Sequence, residues 1–149
     1  EQLDIVPWLV VSGVNSGQNV GPLAPLSGTV GAAQTGARAG YPAIAASAGF
    51  GEDADFDSAV ELVVAWIGEN RSALDDKTSS AETVTSFNVP QCTAGTMREL
   101  VEVPRADSIP EGANVFFTDC AVEPDSAPVS DVDAMIKGFA AQTQLPLDF

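Results

Sequence analysis

Two short apolar runs flank a segment of very small residues early in the chain, and that arrangement restricts the fold more than anything else in the sequence. Pro7 leads into Trp8-Leu9-Val10-Val11-Ser12, which lacks helical alternation and reads as a strand buried on both faces. Pro42 leads into Ala43-Ile44-Ala45-Ala46-Ser47, a second run of the same kind. Between them residues 29–39 are dense in alanine and glycine, with Ser27 placed to cap a first helical turn and Gly40 placed to end the helix. Strand, helix and strand at this spacing form a βαβ unit, which implies parallel strands and a right-handed crossover. The small side chains let the helix lie close against a sheet. We therefore expect an α/β fold of three layers, with a mostly parallel, Rossmann-like sheet and helices on both faces.

The rest of the chain extends that pattern. After an acidic turn at 51–55, Val60, Val63, Val64 and Ile67 recur at helical spacing, and Ser58 with Glu61 offers a capping box. Phe56 and Trp66 are expected as core contacts of this second helix. Asp53, Asp55 and Asp57 read as acids favoured at a helix N-terminus, since the glycine and distal glutamate of a calcium loop are out of register. Residues 83–89 are rich in β-branched side chains and stop at Pro90, so they predict a third strand. Further strands are expected at 100–103, 114–118 and 139–143, with a short helix at 132–137. No stretch is linker-like enough to divide the chain, so residues 1–149 read as one domain.

Composition narrows the partners. Hydrophobic residues make up 45% of the chain and charged residues 18%, which suits a folded core. Runs such as Leu62-Val63-Val64-Ala65-Trp66-Ile67 fall short of the ~20 residues a membrane-spanning helix needs, so no membrane partner is expected. Twenty-one acidic residues against six basic ones leave a formal charge of −15, which repels duplex nucleic acid. A small phosphorylated substrate still fits, because oriented backbone N–H groups and a bound cation reverse the field within a pocket. Histidine is absent, which removes Ser-His-Asp and Cys-His catalysis and histidine-containing zinc sites from this chain. Cys92 and Cys120 are too few and too far apart for a zinc ribbon or a redox pair. With few lysines present, they read as a disulfide of a secreted or periplasmic protein whose leader has been removed; the alternative is two buried thiols in a cytosolic protein.

The segment from Gly13 to Gly28 carries the chemistry. It is expected to be a loop at the carboxyl end of a parallel strand, where open α/β folds bind ligands. Gly13, Gly17, Gly21 and Gly28 allow close backbone approach, and Asn15, Asn19 and Ser27 supply neutral oxygen-bearing side chains. A loop of this kind entering a helix N-terminus holds an anion through orphan N–H groups and the helix dipole, with Ser27 and Thr29 adding hydroxyl donors. The plainer reading is a glycine-rich turn whose asparagines satisfy local backbone groups.

The string Val10-Val11-Ser12-Gly13-Val14-Asn15-Ser16-Gly17-Gln18-Asn19-Val20-Gly21, followed by Leu26-Ser27-Gly28-Thr29-Val30-Gly31-Ala32-Ala33, closely resembles the SurE family. Gly40-Tyr41-Pro42-Ala43-Ile44-Ala45 and Phe87-Asn88-Val89-Pro90 resemble its next strand entry and strand end, and residues 131–143 resemble the segment near its last core strand. The resemblance implies a metal-dependent phosphomonoesterase acting on nucleoside monophosphates or similar esters. It implies Asn15 as a ligand of a divalent cation, magnesium or manganese, and Asn19, Ser27, Gly28 and Thr29 as the residues that hold the phosphate. The family's paired aspartates lie in an Asn-Asp-Asp-Gly motif ahead of this segment, whereas this sequence opens Glu1-Gln2-Leu3-Asp4. The expectation is therefore the downstream part of one SurE-like domain, with no catalytic residue in this chain and an upstream fragment of the same precursor as a partner. The resemblance also implies a homo-oligomer. The rival readings are a noncatalytic phosphate- or nucleotide-binding fragment and a secreted interaction domain.

Overall fold

The computed structural model describes residues 6–51 and 53–149; Glu1-Gln2-Leu3-Asp4, and Glu52 of the acidic turn, lie outside the described residues. The chain runs through β1 (Val10–Ser16), a 3-10 turn (Gly21–Leu26), α1 (Gly28–Arg38), β2 (Ala43–Ala48), α2 (Phe56–Glu69) and α3 (Arg71–Asp75). It continues through β3 (Thr83–Asn88), β4 (Cys92–Ala94), β5 (Arg98–Glu102), β6 (Thr118–Asp119), α4 (Asp131–Ile136) and β7 (Phe139–Pro146). Five strands form the main sheet in the order β1-β2-β3-β7-β5, while β4 and β6 pair apart from it. The pairs β1/β2, β2/β3 and β5/β7 are parallel, and β3/β7 is antiparallel. The sheet is thus mixed but mostly parallel, as the βαβ reading requires.

The layers follow from side-chain alternation along β2, all six residues of which are buried. Ala43 and Ala45 pack against Val30, Ala33 and Ala37 of α1. Ile44 and Ala46 point the other way and pack with Val63 of α2. Helices α1 and α2 therefore cover opposite faces of the sheet. On the α1 side, Val132 and Met135 of α4 pack with Phe139 and Ala141 of β7. Ile44 and Phe87 are wholly excluded from solvent, each stabilising the fold by roughly 1.5–3 kcal/mol. The glycine content of α1 has a steric purpose: a Cβ at Gly36 would stand 2.7 Å from Val10 Cγ2, so its absence brings helix and strand together.

Several expectations are corrected. Strand β1 continues to Ser16, so the first residues of the expected loop are strand. It is not buried on both faces, since the α2 cluster takes in Leu9 and Val14 but leaves Val11 46% exposed. Helix α2 is capped by Asp55 rather than by a Ser58/Glu61 box, because the Asp55 carboxylate accepts from the Ser58 N–H at 3.0 Å and from the Ser58 hydroxyl at 2.6 Å. Its buried stripe is Ala59 and Val63 with Leu62, Trp66 and Ile67; Phe56, Val60 and Val64 face outward. The strand expected at 114–118 reduces to β6, because Asn114 Oδ1 accepts the N–H groups of Phe116 at 2.9 Å and Phe117 at 3.1 Å and bends the chain locally. Cys92 and Cys120 are joined as a disulfide, S–S 1.99 Å, tying β4 to the residue after β6.

Candidate functional site

The site begins with an irregularity in β1. Ser12 pairs with Ala45 of β2, but Asn15 pairs with Ser47, so β1 carries one residue more than its partner between these points. In regular pairing Asn15 would share the face of Val11. The extra residue turns it to the face of Ser47, which is the α1 side of the sheet. Gly13 sits inside the irregularity with φ +110, and a Cβ there would lie 2.2 Å from the Ala46 carbonyl oxygen, so only glycine fits.

Ser47 in turn pairs with Asn88 of β3, and the three side chains Asn15, Ser47 and Asn88 form a polar row across the carboxyl ends of three parallel strands. Ser47 donates its hydroxyl to Asn15 Oδ1 at 2.8 Å. Asn19 fastens the following loop to this row. Its Nδ2 donates to Ser47 Oγ at 2.7 Å and to Asn15 Oδ1 at 3.0 Å, and its backbone N–H donates to Asn88 Oδ1 at 2.7 Å. Asn15 Nδ2 closes the turn by donating to the Gly17 carbonyl at 2.9 Å. Asp131, itself buried, holds the start of the 3-10 turn through the Gly21 N–H at 2.8 Å.

That turn delivers the chain to α1. Ser27 is the N-cap, its Oγ accepting the Val30 N–H at 3.2 Å, and Gly31 makes the first bond back to Ser27 O. Gly28 and Thr29 are left in the first turn with amides that have no helical partner, at the positive end of the helix dipole. Asn15, Asn19 and Ser27 all line one cavity of about 250 Å³, together with Ser16, Gly17, Gln18, Leu23, Leu26, Phe50 and Phe116. Gly28 and Thr29 follow Ser27 in the chain but are not among the lining residues. Arg38 lies at the far end of α1, paired with Asp148 at 3.2 Å, and takes no part.

The residues that sequence reasoning did not reach are Ser47, Asn88, Gln18, Phe50 and Phe116. Ser47 had a faint signal as the one hydroxyl ending an otherwise apolar run. Asn88 reads in the sequence only as part of a strand end, and the aromatics enter through loops distant in sequence.

Whether these residues suffice for a divalent cation can be judged from the donors. Among the described residues no group of three or more acidic, cysteine or histidine side chains converges. Asn15 offers one neutral oxygen, which already accepts from Asn19 and Ser47. A hard cation takes six or more oxygens, usually with carboxylates among them, so the described residues alone do not fit one. What the segment does offer an anionic oxygen is the Ser27 hydroxyl on the cavity lining and, next in the chain, the first-turn amides of α1, while the amide protons of Asn15 and Asn19 are spent within the clasp.

Comparison with known proteins places the chain among relatives of one family. The family model described as Survival protein SurE matches residues 2–107. The protein named 5'-nucleotidase SurE from Nitrosococcus oceani is 32% identical, aligned over 98% of this chain and 61% of its own length. Its namesake from Gloeobacter violaceus is 34% identical over 95% of this chain and 57% of its own length. The crystal structure of the SurE protein from Aquifex aeolicus superposes with a TM-score of 0.64 at 24% identity, covering 96% of this chain and 60% of that one. The chain thus spans less than two thirds of the length of the relatives it matches.

Proposed function

The chain belongs to the SurE family, and from that premise we propose that it forms part of a phosphomonoesterase of the 5'-nucleotidase type, acting on nucleoside monophosphates or similar esters. The observation that carries the reading is that Asn15, Asn19 and Ser27, the N-cap of α1, line one cavity, with the buried Ser47 and Asn88 clasping the two asparagines from behind. In this reading the amides of Gly28 and Thr29 and the hydroxyls of Ser27 and Thr29 hold the phosphate, helped by the α1 dipole. Asn19 Nδ2 redirects one of its two hydrogen bonds to a phosphate oxygen. A magnesium or manganese ion here would take one amide oxygen from Asn15, in exchange for a hydrogen bond from Asn19 or Ser47, and would need carboxylates that the described residues do not supply. Such a cation would supply Lewis-acid polarisation of the phosphoryl group. The Cys92–Cys120 disulfide supports a secreted or periplasmic setting.

Phosphate release from AMP and p-nitrophenyl phosphate by the full-length protein, with manganese or magnesium, tests the reading. Hydrolysis is expected, and Asn15→Ala should lower it roughly 100-fold or more. Full activity in that variant removes the assignment of Asn15. The absence of a carboxylate cluster among the described residues favours one alternative, a noncatalytic nucleotide-binding module. AMP binding without phosphate release at saturating cation would select it.

A further inference from the structure

The sheet face that α2 covers over β1, β2 and β3 continues onto β7 as an open groove. The groove has a volume of about 340 Å³, and its lining includes Trp66, Asn70, Ser80, Thr83, Gln142 and Gln144. None of the lining side chains is charged, in a chain where 18% of the residues are. Thr83 Oγ1 donates to Gln144 Oε1 at 2.9 Å, which fixes that carboxamide against β3. Neutral hydroxyls and carboxamides beside an indole suit a sugar, which carries hydroxyls on its rim and C–H groups on its faces.

Asn70 stands in this lining, and it opens Asn70-Arg71-Ser72, the one Asn-x-Ser/Thr tripeptide of the chain. On the surface of a secreted protein such a tripeptide accepts an N-linked glycan, provided that its middle residue is not proline. Asn70 ends α2 and precedes α3, with φ −98 and ψ 7, and its neighbours Glu69, Arg71 and Ser72 are exposed. Its Nδ2 donates to the Trp66 carbonyl at 2.9 Å. A glycan replaces one of the two amide protons, so the other still serves that bond. The Cys92–Cys120 disulfide belongs to the oxidising export route on which such glycans are added.

We propose that Asn70 carries an N-linked glycan whose first sugar lies in the groove beside Trp66. In the linking step Asn70 Nδ2 bonds to C1 of an N-acetylhexosamine that a lipid pyrophosphate carrier supplies. The C1–O bond to the carrier breaks, the pyrophosphate leaves with the electron pair, and one amide proton is released. The proposal rests on the secreted setting and not on the phosphatase reading, since the groove shares no residue with the cavity at Asn15. Treating the protein from its native source with peptide N-glycosidase in heavy-oxygen water tests it, by mass spectrometry of the peptide that spans residue 70. That peptide should carry the heavy oxygen at residue 70. In a secreting eukaryotic host, Ser72→Ala should lose the whole glycan mass and Ser72→Thr should keep it. The glycosylated protein should have a higher urea midpoint than Ser72→Ala at unchanged slope, and trimming the glycan to one sugar should preserve the difference. Unmodified Asn70 in native protein whose disulfide is intact overturns the site and leaves the secreted setting standing. Free thiols at Cys92 and Cys120 remove the setting and the site together. Equal midpoints with the glycan attached keep the site and overturn the contact in the groove.

Discussion

Ser47 is 1% exposed, and its hydroxyl is used twice, donating to Asn15 and accepting from Asn19. Replacing it with alanine takes one acceptor from the Asn19 carboxamide and one donor from Asn15 in a place water does not reach. The expected cost of Ser47→Ala is about 1–3 kcal/mol, read from the urea midpoint at unchanged slope. A midpoint indistinguishable from wild type would mean that the clasp contributes nothing. At this scale the sequence displays half of the site. Asn15, Asn19 and Ser27 are conspicuous because they interrupt a glycine-rich stretch. Ser47 and Asn88 enter only through strand register, and Asn15 faces them only because β1 holds an extra residue, which no local pattern announces. Asn19 is the instructive case, since a side chain expected to meet the ligand spends its amide protons on Asn15 of β1 and Ser47 of β2.

Among the elements, α1 was legible from end to end, because cap, small-residue composition and terminating glycine all agree: Ser27 caps it and Gly40 follows with φ +90. The segment 114–118 misleads because its β-propensity is overruled by a single asparagine side chain that captures two backbone N–H groups. Helix α2 shows the same competition in milder form, with Asp55 capturing Ser58 before Ser58 can act as a cap. The irregular 103–118 region is held by the packing of Val103, Ala106, Ile109 and Val115, by Asp131, and by a covalent bond just beyond its end. The Cys92–Cys120 bond closes a loop of sequence separation 28. Chain-entropy reasoning puts its contribution at about 3–4 kcal/mol. Reduction, or a paired Cys92→Ser and Cys120→Ser change, should lower the denaturation midpoint accordingly. It should also free the backbone around Phe116, so amide exchange at 114–120 should accelerate more than at β2. Uniform acceleration across the chain would show that the bond braces the whole fold rather than this region.

Over the whole molecule the charge of −15 sets the background against which any phosphate must bind. Five of the six basic residues sit in ion pairs, Arg38, Arg71, Arg98, Arg105 and Lys137, and none of the six lines the cavity. On the proposed reading a dianionic ligand approaches through a repulsive field and is held at short range by backbone and hydroxyl donors. Salt screens the first effect strongly and the second hardly at all, because the donors act at contact while the surface carboxylates act over distances comparable to the Debye length. Raising sodium chloride from about 20 to about 200 mM shortens that length from roughly 20 to roughly 7 Å. AMP affinity, measured with divalent cations chelated, should then rise, by roughly two- to threefold. A pocket built around lysine or arginine would show the reverse sign. Weakening of AMP binding with salt would thus locate an unscreened cation beside the phosphate and contradict a site made from the first turn of α1.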